Sequence, residues 1–315
     1  SSNNVSVIDT TTNTVITTIS VGSTPYSATL VGTDLYVNNF STTDISVIDT
    51  NPANVGTYNT VTATIDVGSE MPWSSTLVGN NLYINNNSYS GKVIVIDTNP
   101  ANVGTTYNTV IATIPVGHSP YSSISAGTNL YVNNRDSGTV SVIDANPANV
   151  GTYNTVIATI TVGSYNSSST LVGTNLYVNN QSSNSVSIID TNPTNVGTYN
   201  TVIATIDFSA GEGYGLVASV LVGSDLYVVN QYSNDVFVID TNPANVGTYN
   251  TVIATIDGTG SSTSLVLVGT NLYTNDLNSN FIYVIDTDTN ILIDTIDLGV
   301  GSNSSSSVAV GSNLY

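Results

Sequence analysis

The residues best suited to chemistry are also the rarest in this 315-residue chain: one histidine (His118), one tryptophan (Trp73), one methionine (Met71) and the glutamates Glu70 and Glu212. They share one kind of position, the connections that also carry Tyr26, Tyr121, Tyr165 and Tyr214. Aromatic rings beside hydroxyls and amides are how proteins hold sugars, because the ring covers the apolar face of a pyranose while polar groups reach its hydroxyls. Tyr26, Glu70, Trp73, His118, Tyr121, Tyr165, Glu212 and Tyr214 are therefore the candidate ligand-binding residues. A plainer account stands beside this one: connecting segments collect rare residues because a repeat constrains everything else.

No catalytic residue is assigned. A Ser-His-Asp arrangement has only His118 to draw on, and no Gly-x-Ser-x-Gly elbow is present. A glycosidase pair needs carboxyl groups within roughly 5 to 10 Å of each other, and Glu70 and Glu212 fall in repeat units expected on nearly opposite sides of a ring. Asp286-Thr-Asp288-Thr-Asn290 begins like an EF-hand, but Ile291 stands where the turn needs Gly and Asp297 replaces the bidentate Glu. No metal ligand is named, although Asp-rich turns leave room for structural calcium. No cofactor is expected, since quinone or haem propellers use several His, Arg or Cys ligands. Lys92 and Arg135, the two basic residues, fall in turns after second strands, where a solvated role or a salt bridge to Asp is expected.

The elements that position these residues repeat. Val/Ile-Ile-Asp ends at Asp9, Asp49, Asp97, Asp144, Asp190, Asp240 and Asp286, at spacings of 40, 48, 47, 46, 50 and 46 residues. Leu-Tyr recurs at Tyr36, Tyr83, Tyr131, Tyr177, Tyr227, Tyr273 and Tyr315. Four β-type runs per unit, rich in Val, Ile, Thr and Tyr, punctuated by Gly and Asn and free of helical periodicity, are the propeller pattern. Strands apolar on both faces, such as Val93-Ile94-Val95-Ile96, suit sheets sandwiched between neighbours. In blade one the inner strand is placed at Tyr26 to Val31, the second at Leu35 to Asn38, the third at Ile45 to Asp49 and the outer at Val61 to Ile65.

On Leu176-Tyr-Val-Asn-Asn180, Val186-Ser-Ile-Ile-Asp190 and Thr201-Val-Ile-Ala-Thr-Ile206, with their equivalents elsewhere, the chain resembles the YVTN family of β-propeller repeats. The resemblance covers almost the whole chain and implies a propeller of the kind known from microbial surface-layer and other extracellular proteins. The expected fold is all-β: one seven-bladed β-propeller of four-stranded antiparallel blades spanning 1–315. Its first six blades are placed at 21–66, 67–115, 116–161, 162–207, 208–257 and 258–297. The chain opens on the second half of the pattern and stops inside the first half. Residues 1–20 are thus expected to give the outer strands of a shared closing blade, and 298–315 its inner strands, which would pair the open edges.

Five blades carry a long connection of the type Thr50-Asn-Pro-Ala-Asn-Val-Gly-Thr-Tyr-Asn-Thr60 between the third and outer strands, repeated from Thr98, Ala145, Thr191 and Thr241. Asn-Pro is expected to start a turn, Gly to supply a left-handed position, and the tyrosine to pack back. Tyr58, Tyr107, Tyr153, Tyr199 and Tyr249 are the candidate assembly-loop residues, for contact with other copies or other surface proteins. Inert duplication of the loop is the competing account. The Asp of Val-Ile-Asp is read as a turn starter whose carboxylate caps backbone amides.

Composition narrows the partners. Charged residues are 7 % of the chain and the net charge is -19, so nucleic acid and anionic membrane, which need Lys and Arg, are poor partners. A glycan or a divalent cation suits this surface better. No apolar run reaches the length of a membrane span, and without cysteine there is no disulfide framework. Sequons begin at Asn4, Asn39, Asn86, Asn166, Asn180 and Asn303, several of them expected by chance in so Asn- and Ser-rich a chain. Because the sequence begins with Ser1, the chain is read as an excised or processed piece whose signal or anchor lies outside it. Together these features lead to an extracellular or cell-surface, non-enzymatic module that is structural or adhesive in a surface layer, sheath or appendage. A carbohydrate-binding propeller, free or appended to a secreted enzyme, is the alternative.

Overall fold

The structure is a computed structural model describing residues 3–68, 71–208, 215–299, 307–311 and 313–314. Glu70, Glu212 and Tyr214 of the candidate site lie outside the described residues. Strands account for nearly all regular structure, with one 3-10 turn at Pro100–Asn102. The fold is the expected seven-bladed β-propeller, built of six four-stranded antiparallel sheets and two hairpins. Contacts divide the chain into two compact units, residues 1–159 and 160–315, with the boundary inside the outer strand of the third complete blade.

The first unit holds the hairpin β1 (Asn4–Asp9) and β2 (Thr14–Ser20), then three blades. Blade one is β3 (Pro25–Val31), β4 (Asp34–Asn39), β5 (Asp44–Asp49) and β6 (Val61–Asp66). Blade two is β7 (Pro72–Val78), β8 (Asn81–Asn86), β9 (Lys92–Asp97) and β10 (Thr109–Pro115). Blade three is β11 (Pro120–Ala126), β12 (Asn129–Asn134), β13 (Thr139–Asp144) and β14 (Thr155–Thr161). The second unit repeats the plan with β15 (Asn166–Val172) to β18 (Val202–Asp207), β19 (Leu216–Val222) to β22 (Thr251–Asp257) and β23 (Ser262–Val268) to β26 (Ile291–Asp297), then the hairpin β27 (Ala309–Val310) and β28 (Asn313–Leu314). Each hairpin falls on a segment expected to supply half of the closing blade, β1–β2 on the outer half and β27–β28 on the inner half. β1–β2 packs Val5, Val7 and Ile19 onto Val37 and Ile48 of blade one, and β27 lies against β23.

Alternation along the strands builds the core between blades rather than within one. Tyr36, Ile45 and Val47 meet Leu82, Ile84, Ile94 and Ile96 of the next blade, and Tyr83, Val93 and Val95 meet Leu130, Val132 and Ile143. In the second unit Tyr177, Val186 and Ile188 meet Leu226, Val228 and Phe237. Tyr36, Tyr83, Tyr131, Tyr177 and Tyr227 are buried at these seams, and four of them spend the hydroxyl on the following blade. Tyr36 donates to Asn108 (2.5 Å), Tyr83 to Asn154 (2.6 Å), Tyr177 to Asn250 (2.5 Å) and Tyr227 to Asn290 (2.5 Å). A buried hydroxyl needs such a partner, so the signature tyrosine is a staple between blades as well as a strand residue.

Inner strands are joined by hydroxyls one repeat apart, which explains their Ser and Thr content. Ser27 donates to the Trp73 carbonyl (2.7 Å), Ser74 to the Tyr121 carbonyl (2.7 Å) and Ser167 to the Leu216 carbonyl (2.8 Å). Glycine is obligatory just before some of these strands: a Cβ on Gly117 or Gly163 would lie 2.8 or 2.6 Å from the side chain of Asn134 or Asn180. The long connections depart from expectation in one respect. The left-handed residue in all five is the Asn before the outer strand (Asn59, Asn108, Asn154, Asn200, Asn250; φ 56 to 58°), and of the loop glycines only Gly104, in the connection that is one residue longer, has a positive φ. Asn tolerates that region, and Asn108, Asn154 and Asn250 also receive the staple tyrosines.

The Val-Ile-Asp carboxylates cap these loops. Asp49 accepts the Asn51 N–H (2.8 Å), the Asn54 amide (2.9 Å) and the Thr57 hydroxyl (2.6 Å), a pattern repeated at Asp97, Asp144, Asp190 and Asp240. Fully used by its own loop, each carboxylate sits below its ordinary pKa. At Asp49 the Thr57 hydroxyl is the main cause, followed by the Asn51 N–H.

Candidate functional site

In every complete blade the inner strand starts with a β-bulge. Pro25 pairs with Asn39 and Ser27 with Asn38, leaving Tyr26 as the extra residue. The same slip leaves Trp73 between Pro72 and Ser74, and Tyr121 between Pro120 and Ser122. A bulge turns the side chain of its extra residue out of the alternation of the sheet, and a preceding Pro suits the first position of a strand. Pro-aromatic-Ser is thus a local device for aiming a ring, with the Ser then gripping the next blade.

The three rings meet. Tyr26 stacks on Trp73 with centroids 3.6 Å apart and planes at 30°, and Trp73 lies 5.2 Å from Tyr121 at 39°. Phe40 presents its edge to Trp73 at 5.8 Å, and the Arg135 guanidinium lies 4.8 Å from the Tyr121 centroid. Tyr26 remains 51 % exposed, whereas Trp73 and Tyr121 are partly buried. Trp73 is therefore the base of the stack and Tyr26 its open surface. Burial, then the Tyr121 hydroxyl beside it, pushes the Tyr26 hydroxyl up to about 12, with Arg135 opposing the rise. Two hydroxyls and a guanidinium thus gather at one end of an aromatic column.

Sequence reasoning grouped Tyr26, Trp73 and Tyr121 but missed Phe40, and it gave Arg135 a solvated role. Both follow directly on Leu-Tyr-Val-Asn-Asn, and that position is tied to the bulge. Phe40 N–H donates to the Thr24 carbonyl (3.0 Å), and Arg135 N–H to the Ser119 carbonyl (3.0 Å). Aligning the repeats on the bulge and on this position would have exposed the pair.

His118 is engaged elsewhere. Its ring stacks on Tyr89 at 3.9 Å and 6°, and its Nδ1 lies 2.6 Å from the Tyr89 carbonyl oxygen. A carbonyl only accepts, so Nδ1 is the donor in this contact. Tyr165, 39 % exposed, holds a left-handed conformation (φ 61°) just before β15 in the second unit. A bulky residue in that region is strained.

On the long-loop side of the first unit a cavity of about 440 Å³ opens between blades two and three, lined by Val78, Asn81, Asp97, Ile111, Pro147 and Tyr153. Loop tyrosines work here as ties between blades. Tyr107 donates to Asp34 (2.7 Å), Asn81 donates to the Tyr153 hydroxyl, and Asn175 to the Tyr249 hydroxyl (3.0 Å). Tyr58 is 39 % exposed, and the residues that project furthest are the loop valines, with Val55, Val150, Val196 and Val246 all above 90 % exposed. Among the described residues no three His, Asp or Glu side chains gather to hold a metal. Asp286 is a turn cap, accepting the N–H groups of Asp288 (2.8 Å) and Thr289 (3.2 Å). No helix among the described residues is long and apolar enough to cross a membrane.

No protein-family model matches the chain, and no curated protein matches it. Among solved structures it is similar to the dihydro-heme d1 dehydrogenase NirN in complex with DHE (TM-score 0.72, 12 % identity, 98 % of this chain and 64 % of that one). It is similar to hydrazine synthase of Kuenenia stuttgartiensis (TM-score 0.65, 19 % identity, 90 % of each chain). It is also similar to BamB from Moraxella catarrhalis (TM-score 0.64, 11 % identity, 90 % of this chain and 76 % of that one). At such identities the likeness is one of fold, and a fold hosts many functions.

Proposed function

We propose that this chain is a non-enzymatic, extracellular or cell-surface propeller module, a structural or adhesive component of a surface layer, sheath or appendage that makes its contacts through its loop faces. The observation that carries the reading is the Tyr26–Trp73–Tyr121 column, three rings from successive blades with half of Tyr26 left open. Exposed aromatics grouped by a rigid scaffold are binding surfaces more often than accidents. Support comes also from the uncharged polar composition and from the resemblance of the repeats to the YVTN family. The only histidine is stacked on Tyr89, an arrangement that serves packing. Immunogold microscopy of native cells with light scattering of the extracted protein tests the proposal. Surface labelling and a particle larger than the monomer are expected. A strictly monomeric protein absent from the surface overturns it.

A further inference from the structure

We infer that the aromatic column of the first unit binds a pyranose unit of a neutral glycan, with the open face of Tyr26 as the stacking surface and Arg135 at the polar end; this rests on the binding-module reading above. Four observations converge. Tyr26 has its stacking partner Trp73 on one side and is half exposed, so a flat C–H face has a ring to lie on. Trp73, held between Tyr26 and Tyr121 and edged by Phe40, fixes the angle of that ring before any ligand arrives, which spares the ordering cost of binding. The Tyr121 hydroxyl lies beside that of Tyr26 and the Arg135 guanidinium lies 4.8 Å from the Tyr121 centroid, and hydroxyl plus planar guanidinium is a donor–acceptor set suited to vicinal sugar hydroxyls. Finally, a chain of net charge -19 with two basic residues repels polyanions, which selects neutral over acidic glycans.

The fold does not require these rings. The same bulge is built in the second unit with Ser167 and Val217 at the extra position, so the aromatic trio is an addition to the scaffold.

Trp73 is the only tryptophan, so its emission reports on this column alone. The experiment is a fluorescence titration of the intact chain with cellohexaose and laminarihexaose, run beside calorimetry, with alginate and a proline-rich decapeptide as controls. A saturable change in Trp73 emission with a neutral hexaose is expected. Tyr26→Ala should weaken binding at least about tenfold, Tyr26→Phe should keep most of it, and Arg135→Gln should weaken it about three- to tenfold, the size of lost stacking and hydrogen-bond contributions. An unchanged melting curve for each variant confirms that the fold is intact. Saturable calorimetric binding of a hexaose that leaves Trp73 emission and Tyr26→Ala unaffected overturns this site while leaving the module reading in place. Response to alginate or to the peptide without response to either hexaose overturns the ligand class, and no response to any probe overturns the inference.

Discussion

In residues 1–159 the bulge at the start of each inner strand holds Tyr26, Trp73 or Tyr121; in residues 160–315 the same bulge holds Ser167, Val217 and, after Ser262, Thr263 with Ser264. The position after the second strand varies as well. It is Phe40, Asn87 and Arg135 in the first unit and Gln181, Gln231 and Leu277 in the second, although every one of these N–H groups makes the same hydrogen bond across to the segment before the inner strand. Backbone register and ladder are thus indifferent to what the bulge carries. Stability accounts for the repeated parts, and the rings at the bulge need another reason.

If the scaffold is equivalent in the two units, its staples should fail alike, and this is the largest expected effect. Tyr83→Ala and Tyr177→Ala each remove a fully buried ring and strand an Asn partner, costing about 3 to 5 kcal/mol. Tyr→Phe at either site should cost about 1 to 2 kcal/mol. Chemical denaturation measures both, and a cost confined to one unit would break the equivalence.

The loop caps come next. At Asp144 and Asp190 burial alone would raise the carboxyl pKa, but the hydroxyl of Thr152 or Thr198 and the Asn146 or Asn192 N–H outweigh it, so both lie below the ordinary 3.8. A carboxyl depressed by folding contributes stability that is present in full above 3.8 and is lost as pH falls through the lower, folded value. Melting temperature should therefore hold above about pH 5 and fall steeply below pH 4. Asp144→Asn and Asp190→Asn should each lose about 1 to 2 kcal/mol at neutral pH and flatten the acid limb. A variant with unchanged acid sensitivity would remove these caps as its cause.

The repeated half of this molecule was readable in its sequence, and the half that varies was only partly so. The third strands followed from continuous Val/Ile runs, because there the sheet buries both faces. The Asp caps followed from turn chemistry, whereas the left-handed position went to Asn59 rather than Gly56. Local propensity favoured Gly there, and a contact 72 residues away decided otherwise at the equivalent Asn108, which takes the hydroxyl of Tyr36. The sequons tell the same story: Asn39, Asn86, Asn166 and Asn180 are completely buried, and Asn39 and Asn180 donate to hydroxyls on the neighbouring strand, a structural use that a three-residue pattern does not reveal. Tyr26, Trp73 and Tyr121 were picked out by the kind of connection that carries them, and their rings do meet, but which ring is open depends on bulge geometry set by strand pairing.

The smallest effect on stability is the sharpest test of the difference between the units. Tyr26→Ala trims a ring that is half exposed, so the unfolding free energy should change by less than about 1 kcal/mol. Trp73, losing the ring stacked at 3.6 Å, should nevertheless shift its emission to the red as water reaches its indole. Thr263→Ala, at the corresponding bulge of the second unit, should change neither quantity. A large loss of stability in Tyr26→Ala would mean that the rings are part of the scaffold after all, and the contrast between the two units would then be one of packing rather than of binding.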